Sequence, residues 1–141
     1  HELPVYGLSS IYSGKPDSVK DLDLEGVIFG DMPWLLTEGG QVESLRESLS
    51  QNELNIGSGM ERLFALGLDA FALMDKVSEM QRNPDWIYPG ITGDLSVTSA
   101  GKILRNLEWA RIKNAEPLHL RLATLPIPPR VDLKSLLIQR H

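Results

Sequence analysis

No cysteine occurs among the 141 residues. That absence excludes disulfides, Cys-ligated zinc, iron–sulfur clusters and thiol catalysis, and it leaves the redox compartment open, since a disulfide-free chain can live in cytosol or periplasm. Histidine is scarce too: His1, His119 and His141 are its three occurrences, and none stands at metal-ligand or triad spacing from another. Lysine and arginine (14) are outnumbered by aspartate and glutamate (19), for a net charge of −5. Without a basic stripe, neither nucleic acid nor an anionic membrane surface is expected as a partner. No apolar run approaches the ~20 residues of a membrane span. No signal peptide opens the chain either, and His1-Glu2-Leu3-Pro4 running straight into Val5-Tyr6 reads as a cut from something longer. Any targeting signal would then have been lost with the missing part. Neither a P-loop nor a dinucleotide fingerprint occurs; IGSGMERL has two glycines before a helix but lacks the third glycine and the Walker lysine. No catalytic group, metal or cofactor is expected.

What is present is an ordinary globular composition, 42% hydrophobic and 23% charged, with room for a core. LPVYGLSS reads as a short buried strand ending in a Gly/Ser loop, where Ser9 and Ser10 sit as side chains at strand ends often do near ligands. SGKPDSVKDLD is turn chemistry or one helical turn. LEGVIFGD is a second strand, and Pro33 should end its pairing because proline cannot donate to a ladder. Residues 40–50 form an amphipathic helix.

The strongest local signal follows. Ser58 and Glu61 have capping-box spacing, and Met60, Leu63, Phe64, Gly67, Ala70, Phe71, Met74 and Val77 repeat at helical spacing up to the stop at Asn83-Pro84. The apolar arc is wide, which predicts a mostly buried helix. Beyond it WIYPGITGDLSVTSAGKILRNLEWARI is a β region. Pro89-Gly90 and Thr92-Gly93 are its turns, 94–98 alternates, Ser99-Ala100-Gly101 turns, and a second strand covers 103–112. The order β, β, α, α, β, β predicts an α/β protein. Residues 121–141, with Pro126, Pro128 and Pro129, read as a separate tail, leaving 1–120 as the folded part.

Two carboxylates attract attention. Asp31, beside Trp34 in IFGDMPWLL, is either an acid at a strand end or the lip of a cleft. Asp69 shares the narrow polar side of the long helix with Arg62 and Lys76, so it is either part of a solvated face or the lining of a cleft. Tyr88, Trp86 and Trp109 could line such a cleft, although aromatics in β regions usually pack in the core.

The ordered segments LPVYGLSSIYSG, DLEGVIFGDMPWLL, MERLFALGLDAFALM and YPGITGDLSVTSAGKILRNLEWARI together resemble the C-terminal domain of the LppC/LpoA family, over roughly residues 3–115. GLDAFAL is similar to the Tyr-Asp-Ala helix of the wider superfamily, with Leu68 where tyrosine is common. The resemblance implies part of a type I periplasmic-binding-protein-like fold: two lobes of parallel sheets flanked by helices, with the N-terminal portion missing. LEGVIFGD would then cross between lobes, and Asp31 and Trp34 would serve hinge geometry first and ligand contact second. It also implies a non-enzymatic periplasmic lipoprotein, anchored in the outer membrane, that activates a class A penicillin-binding protein by contact. The rival reading is a solute-binding protein whose interlobe cleft takes an amino acid or cell-wall fragment, with Asp69 receiving an amine and Ser9, Ser10 and Asp31 assisting. Incomplete sheets imply in turn that the chain pairs with the missing part of its own domain or with a second copy.

Overall fold

A computed structural model describes residues 3–51 and 59–120. The capping box at Ser58 and the tail 121–141 lie outside the described residues. Strand β1 (Tyr6–Gly7) pairs parallel with β2 (Ile28–Asp31). Between them run 3-10 turns at Ser9–Ile11 and Asp21–Leu24. In that loop the Asp17 carboxylate accepts the Lys20 and Val19 amides, which holds it below the usual carboxylate range. Helix α1 (Pro33–Leu36) starts on its proline, as proline's fixed φ favours, and α2 (Gly40–Gln51), α3 (Glu61–Leu73) and α4 (Val77–Arg82) follow. Strands β3 (Tyr88–Gly90), β4 (Gly93–Val97) and β5 (Ile103–Asn106) make a three-stranded antiparallel sheet. Strands β6 (Glu108–Lys113) and β7 (Glu116–Leu120) return to the first sheet, whose order is β1-β2-β6-β7.

The architecture is mixed α/β as expected, with differences in detail. Among the described pairs only β1–β2 is parallel; the other pairs are antiparallel, three of them (β3–β4, β4–β5 and β6–β7) joined by short turns and β2–β6 formed by distant parts of the chain. LPVYGLSS contributes two strand residues rather than a buried strand, and Tyr6 is exposed at the sheet edge. Pro89-Gly90 belongs to β3 rather than to a turn, which an edge strand tolerates; the turn is Ile91-Thr92. The strand expected over 103–112 divides at Leu107, where the chain passes from one sheet to the other. Strand β7 was not expected. It folds back through Asn114 and Ala115, which have φ of 53° and 62°, the left-handed pair of a two-residue hairpin.

The long helix is also two helices, broken at 74–76, and the break turns Met80 into the second core. Each sheet has its own core. Phe29, Trp34, Ala65, Ile91, Ala110 and Ile112 pack on the first sheet; Leu73, Met80, Leu95 and Val97 pack on the second. Helix α3 reaches both, through Ala65 near one end and Leu73 at the other. Its wide arc is only half buried. Leu63, Phe71 and Met74 stay exposed on the outer side, the last two by 75% and 76%.

Candidate functional site

The end of β2 is the first point where polar groups converge. Asp31 is 2% exposed, and a carboxylate so far from water must be paired or hydrogen-bonded. Arg62 supplies the partner from the first turn of α3. Its Nη2 lies 2.5 Å from Asp31 Oδ2 and its Nε 3.2 Å from Oδ1, the two-pronged geometry that a guanidinium fork provides. The same Nη2 donates to the carbonyls of Ser9 (3.1 Å) and Tyr12 (2.8 Å). Met32 N adds 2.9 Å to Oδ1. One side chain thus ties strand β2, the loop after β1 and helix α3 together. Tyr12 lies 5.6 Å from Phe29, ring to ring. Burial first, and then the negative charges of Asp21, Asp31 and Glu61, push its phenol up to about 12.

Asp69 forms the second point, seven residues along α3 and therefore on nearly the same side as Arg62. It is 5% exposed, not part of a solvated face. Its carboxylate accepts Ile91 N at 3.1 Å, Thr92 N at 2.8 Å and Thr92 Oγ1 at 2.5 Å, so it closes the turn between β3 and β4. The approach is tight: a Cβ at Gly90 would lie 2.6 Å from Asp69 Oδ2, and one at Gly93 would collide with the Asn106 carbonyl. Both flanks of this turn therefore have to be glycine. Trp34 grips the same turn from the other side, its backbone N donating to Ile91 O at 2.9 Å. The indole is 2% exposed, lies 6.0 Å from Phe64, and carries the Arg46 guanidinium over its ring at 5.0 Å. Arg46 also donates to the Trp34 carbonyl.

Of the six candidates, then, Ser9 and Asp31 meet at Arg62, while Trp34 and Asp69 meet at Ile91. Ser9 acts through its carbonyl, not its hydroxyl. Ser10 is exposed and apart, and Tyr88 packs against the second core. Sequence reasoning placed Arg62 beside Asp69 but missed its pairing with Asp31, which crosses 31 positions of chain. It missed Thr92 as well, although two glycines bracketing Ile91-Thr92 signal a turn approached closely by something else.

An open groove of about 780 Å³ lies elsewhere, at the crossing from β5 to β6, walled by Asp94, Arg105, Leu107, Glu108, Trp109 and His119 among others. Glu108 Oε2 accepts Thr37 Oγ1 at 2.7 Å and lies 2.9 Å from His119 Nε2. None of the six candidates lines this groove. Among the described residues no three His, Asp or Glu side chains gather to hold a metal, and no helix is long and apolar enough to cross a membrane.

The fold is periplasmic-binding-protein-like. Full-length LpoA from Haemophilus influenzae superposes with a TM-score of 0.65 at 24% identity, covering 84% of this chain and 22% of that one. The C-domain of the same protein, described as a regulator of PBP1A, gives 0.62 at 23% identity over 84% of this chain and 37% of that one. At the level of sequence, residues 1–115 match the family LppC, described as "LppC putative lipoprotein", and the chain belongs to it. The penicillin-binding protein activator LpoA of Yersinia pseudotuberculosis is 36% identical over 92 residues, 65% of this chain and 13% of that protein. The LpoA of Glaesserella parasuis is 27% identical over 115 residues, 80% of this chain and 19% of that one. The chain thus spans less than a fifth of the length of these two relatives.

Proposed function

We propose that this chain is the hinge-bearing segment of a non-enzymatic envelope lipoprotein that activates a class A penicillin-binding protein by direct contact in the periplasm. Kinship carries the reading: the family match covers residues 1–115, and the relatives are named as activators of penicillin-binding proteins. The geometry agrees with it. Asp31 and Asp69, the two acids that a solute binder would have to offer to its ligand, are spent on Arg62 and on the β3–β4 turn. Their service is to hold two sheets in register across a hinge. An activator needs such a rigid frame, because it works only by binding one state of its partner better than the other.

The test uses the full-length parent protein, purified with a class A synthase. The expected outcome is co-purification and faster glycan polymerisation and cross-linking by the synthase. No binding and no stimulation, combined with a thermal shift on adding a D-amino acid or a muropeptide, would overturn the activator reading in favour of solute capture.

A further inference from the structure

Charge is divided unevenly along the chain. Residues 121–141 hold four of the 14 Lys and Arg residues (Arg121, Arg130, Lys134 and Arg140) and one of the 19 Asp and Glu residues, Asp132. That segment is therefore basic, at +3, while residues 1–120, with ten basic and eighteen acidic side chains, stand at −8. A basic segment is drawn to an acidic body, and a short tether holds the two at a millimolar effective concentration.

The groove at the β5–β6 crossing lies at the root of this segment. Leu120, the last residue of β7, is part of its wall. In the sheet order β1-β2-β6-β7, chain that precedes β1 enters at the opposite edge, whereas residues 121 onward leave from the groove itself. The ladder pairs Trp109 with Leu120. One further step of that register sets Arg121 opposite Glu108 on the same face, a cross-strand pair of opposite charge. Asp94 lines the groove from the other sheet; it is exposed, and among the described residues its carboxylate has neither a hydrogen bond nor an ion pair. Leu107 and Trp109 give the groove apolar walls. The sequence LPIPP at 125–129 favours the polyproline form, which docks in aromatic-lined grooves at low entropic cost. At about 3.1 Å per residue, an extended run from 121 to 129 spans about 28 Å, against a cube edge of about 9 Å for the 780 Å³ of the groove. The run is long enough to cross the groove and bring Arg130 to Asp94.

We propose that residues 121–130 of this chain occupy that groove, with Arg121 at Glu108, Pro126–Pro129 over Leu107 and Trp109, and Arg130 at Asp94. The chain's own continuation then fills the opening and keeps solutes out of it. This docking rests on register, charge and reach, and is independent of the activator reading.

The test uses the full-length parent protein, so that the rest of its domain competes for the groove. Under mild oxidation, Leu107→Cys paired with Ile127→Cys should form a disulfide roughly tenfold faster than Phe71→Cys paired with Ile127→Cys, as read by tryptic mass spectrometry. Phe71 is the control because it is exposed on α3, away from the groove. Arg130→Glu should slow the first cross-link roughly two- to fivefold, the range of an exposed ion pair, and adding Asp94→Arg should restore it. Removing residues 121–141 should speed alkylation of Leu107→Cys roughly tenfold, with the melting temperature little changed; the melt separates an opened groove from an unfolded one. Equal cross-linking at both positions, or a rate indifferent to Arg130→Glu, would overturn the proposal. So would a Leu107→Cys thiol equally shielded with and without residues 121–141, which gives the groove to the rest of the domain, or one equally open in both.

Discussion

Helix α3 carries a polar latch at each end, and the two are built on opposite principles. Near its start Arg62 brings a full positive charge to Asp31, and the arginine side chain is still 31% exposed. Two turns later Asp69 meets no cation among the described residues; two backbone amides and a hydroxyl satisfy it in a buried turn. The first latch fastens α3 to the sheet of β2, the second to the sheet of β4. A guanidinium reached by water contributes little net Coulomb energy and is screened by salt. Neutral donors around a buried carboxylate feel neither effect, but each is left unsatisfied if the acid is removed. Helix α3 is thus held by a contact that ionic strength can loosen and by another that it cannot.

Removing the second latch should cost most. Asp69→Ala strands the amides of Ile91 and Thr92 together with the Thr92 hydroxyl, and at about 1–3 kcal/mol for each unsatisfied group an overall loss of about 3–5 kcal/mol is expected. Denaturant unfolding at low and high salt checks both the size of the loss and its indifference to salt. Arg62→Ala comes next. It leaves Asp31 buried without its cation, and because water can enter the vacated space the expected cost is about 2–3 kcal/mol, below the usual range for a broken buried pair. This deficit should shrink in high salt, where the wild-type pair is itself weaker; a deficit that does not change with salt would erase the contrast between the latches.

The smallest effect belongs to Tyr12, beside the first latch. Its phenol titrates near 12 in the folded chain against 10.0 ordinarily, so the folded state holds the proton more tightly than the unfolded one. The associated stability is whole below pH 10 and is lost as pH rises from 10 through 12. Tyr12→Phe should remove that part of the alkaline decline and leave neutral-pH behaviour nearly unchanged, as followed by unfolding midpoints across the alkaline range.

How much of this was legible depended on the range of the interaction. Helix α2, the 3-10 turn near Asp21, the end of β2 at Pro33 and the stop before Pro84 follow from local chemistry, and all are present. The failures were of another kind. The break after Leu73 has no proline or glycine to mark it, and what it achieves, seating Met80 against Leu95 and Val97, is a contact with a distant strand. Asp69 stayed open between a solvated face and a cleft lining because a helical wheel knows only its own helix; the turn that buries it lies more than twenty positions on. Strand β7 depends on Asn114-Ala115 turning left-handed, and alanine is a poor signal for that conformation.

By itself, then, the sequence determined the α/β character, the main helix and strand segments, the family kinship and the list of acids that matter. Those follow from periodicity, proline and glycine placement, and motif order, all properties of neighbouring residues. Tertiary structure decided what the acids do. Whether a carboxylate is a ligand group or a latch depends on which donors arrive from elsewhere in the chain. Desolvation makes that answer one-sided, because an acid buried as deeply as Asp31 or Asp69 survives only when its partners arrive with it.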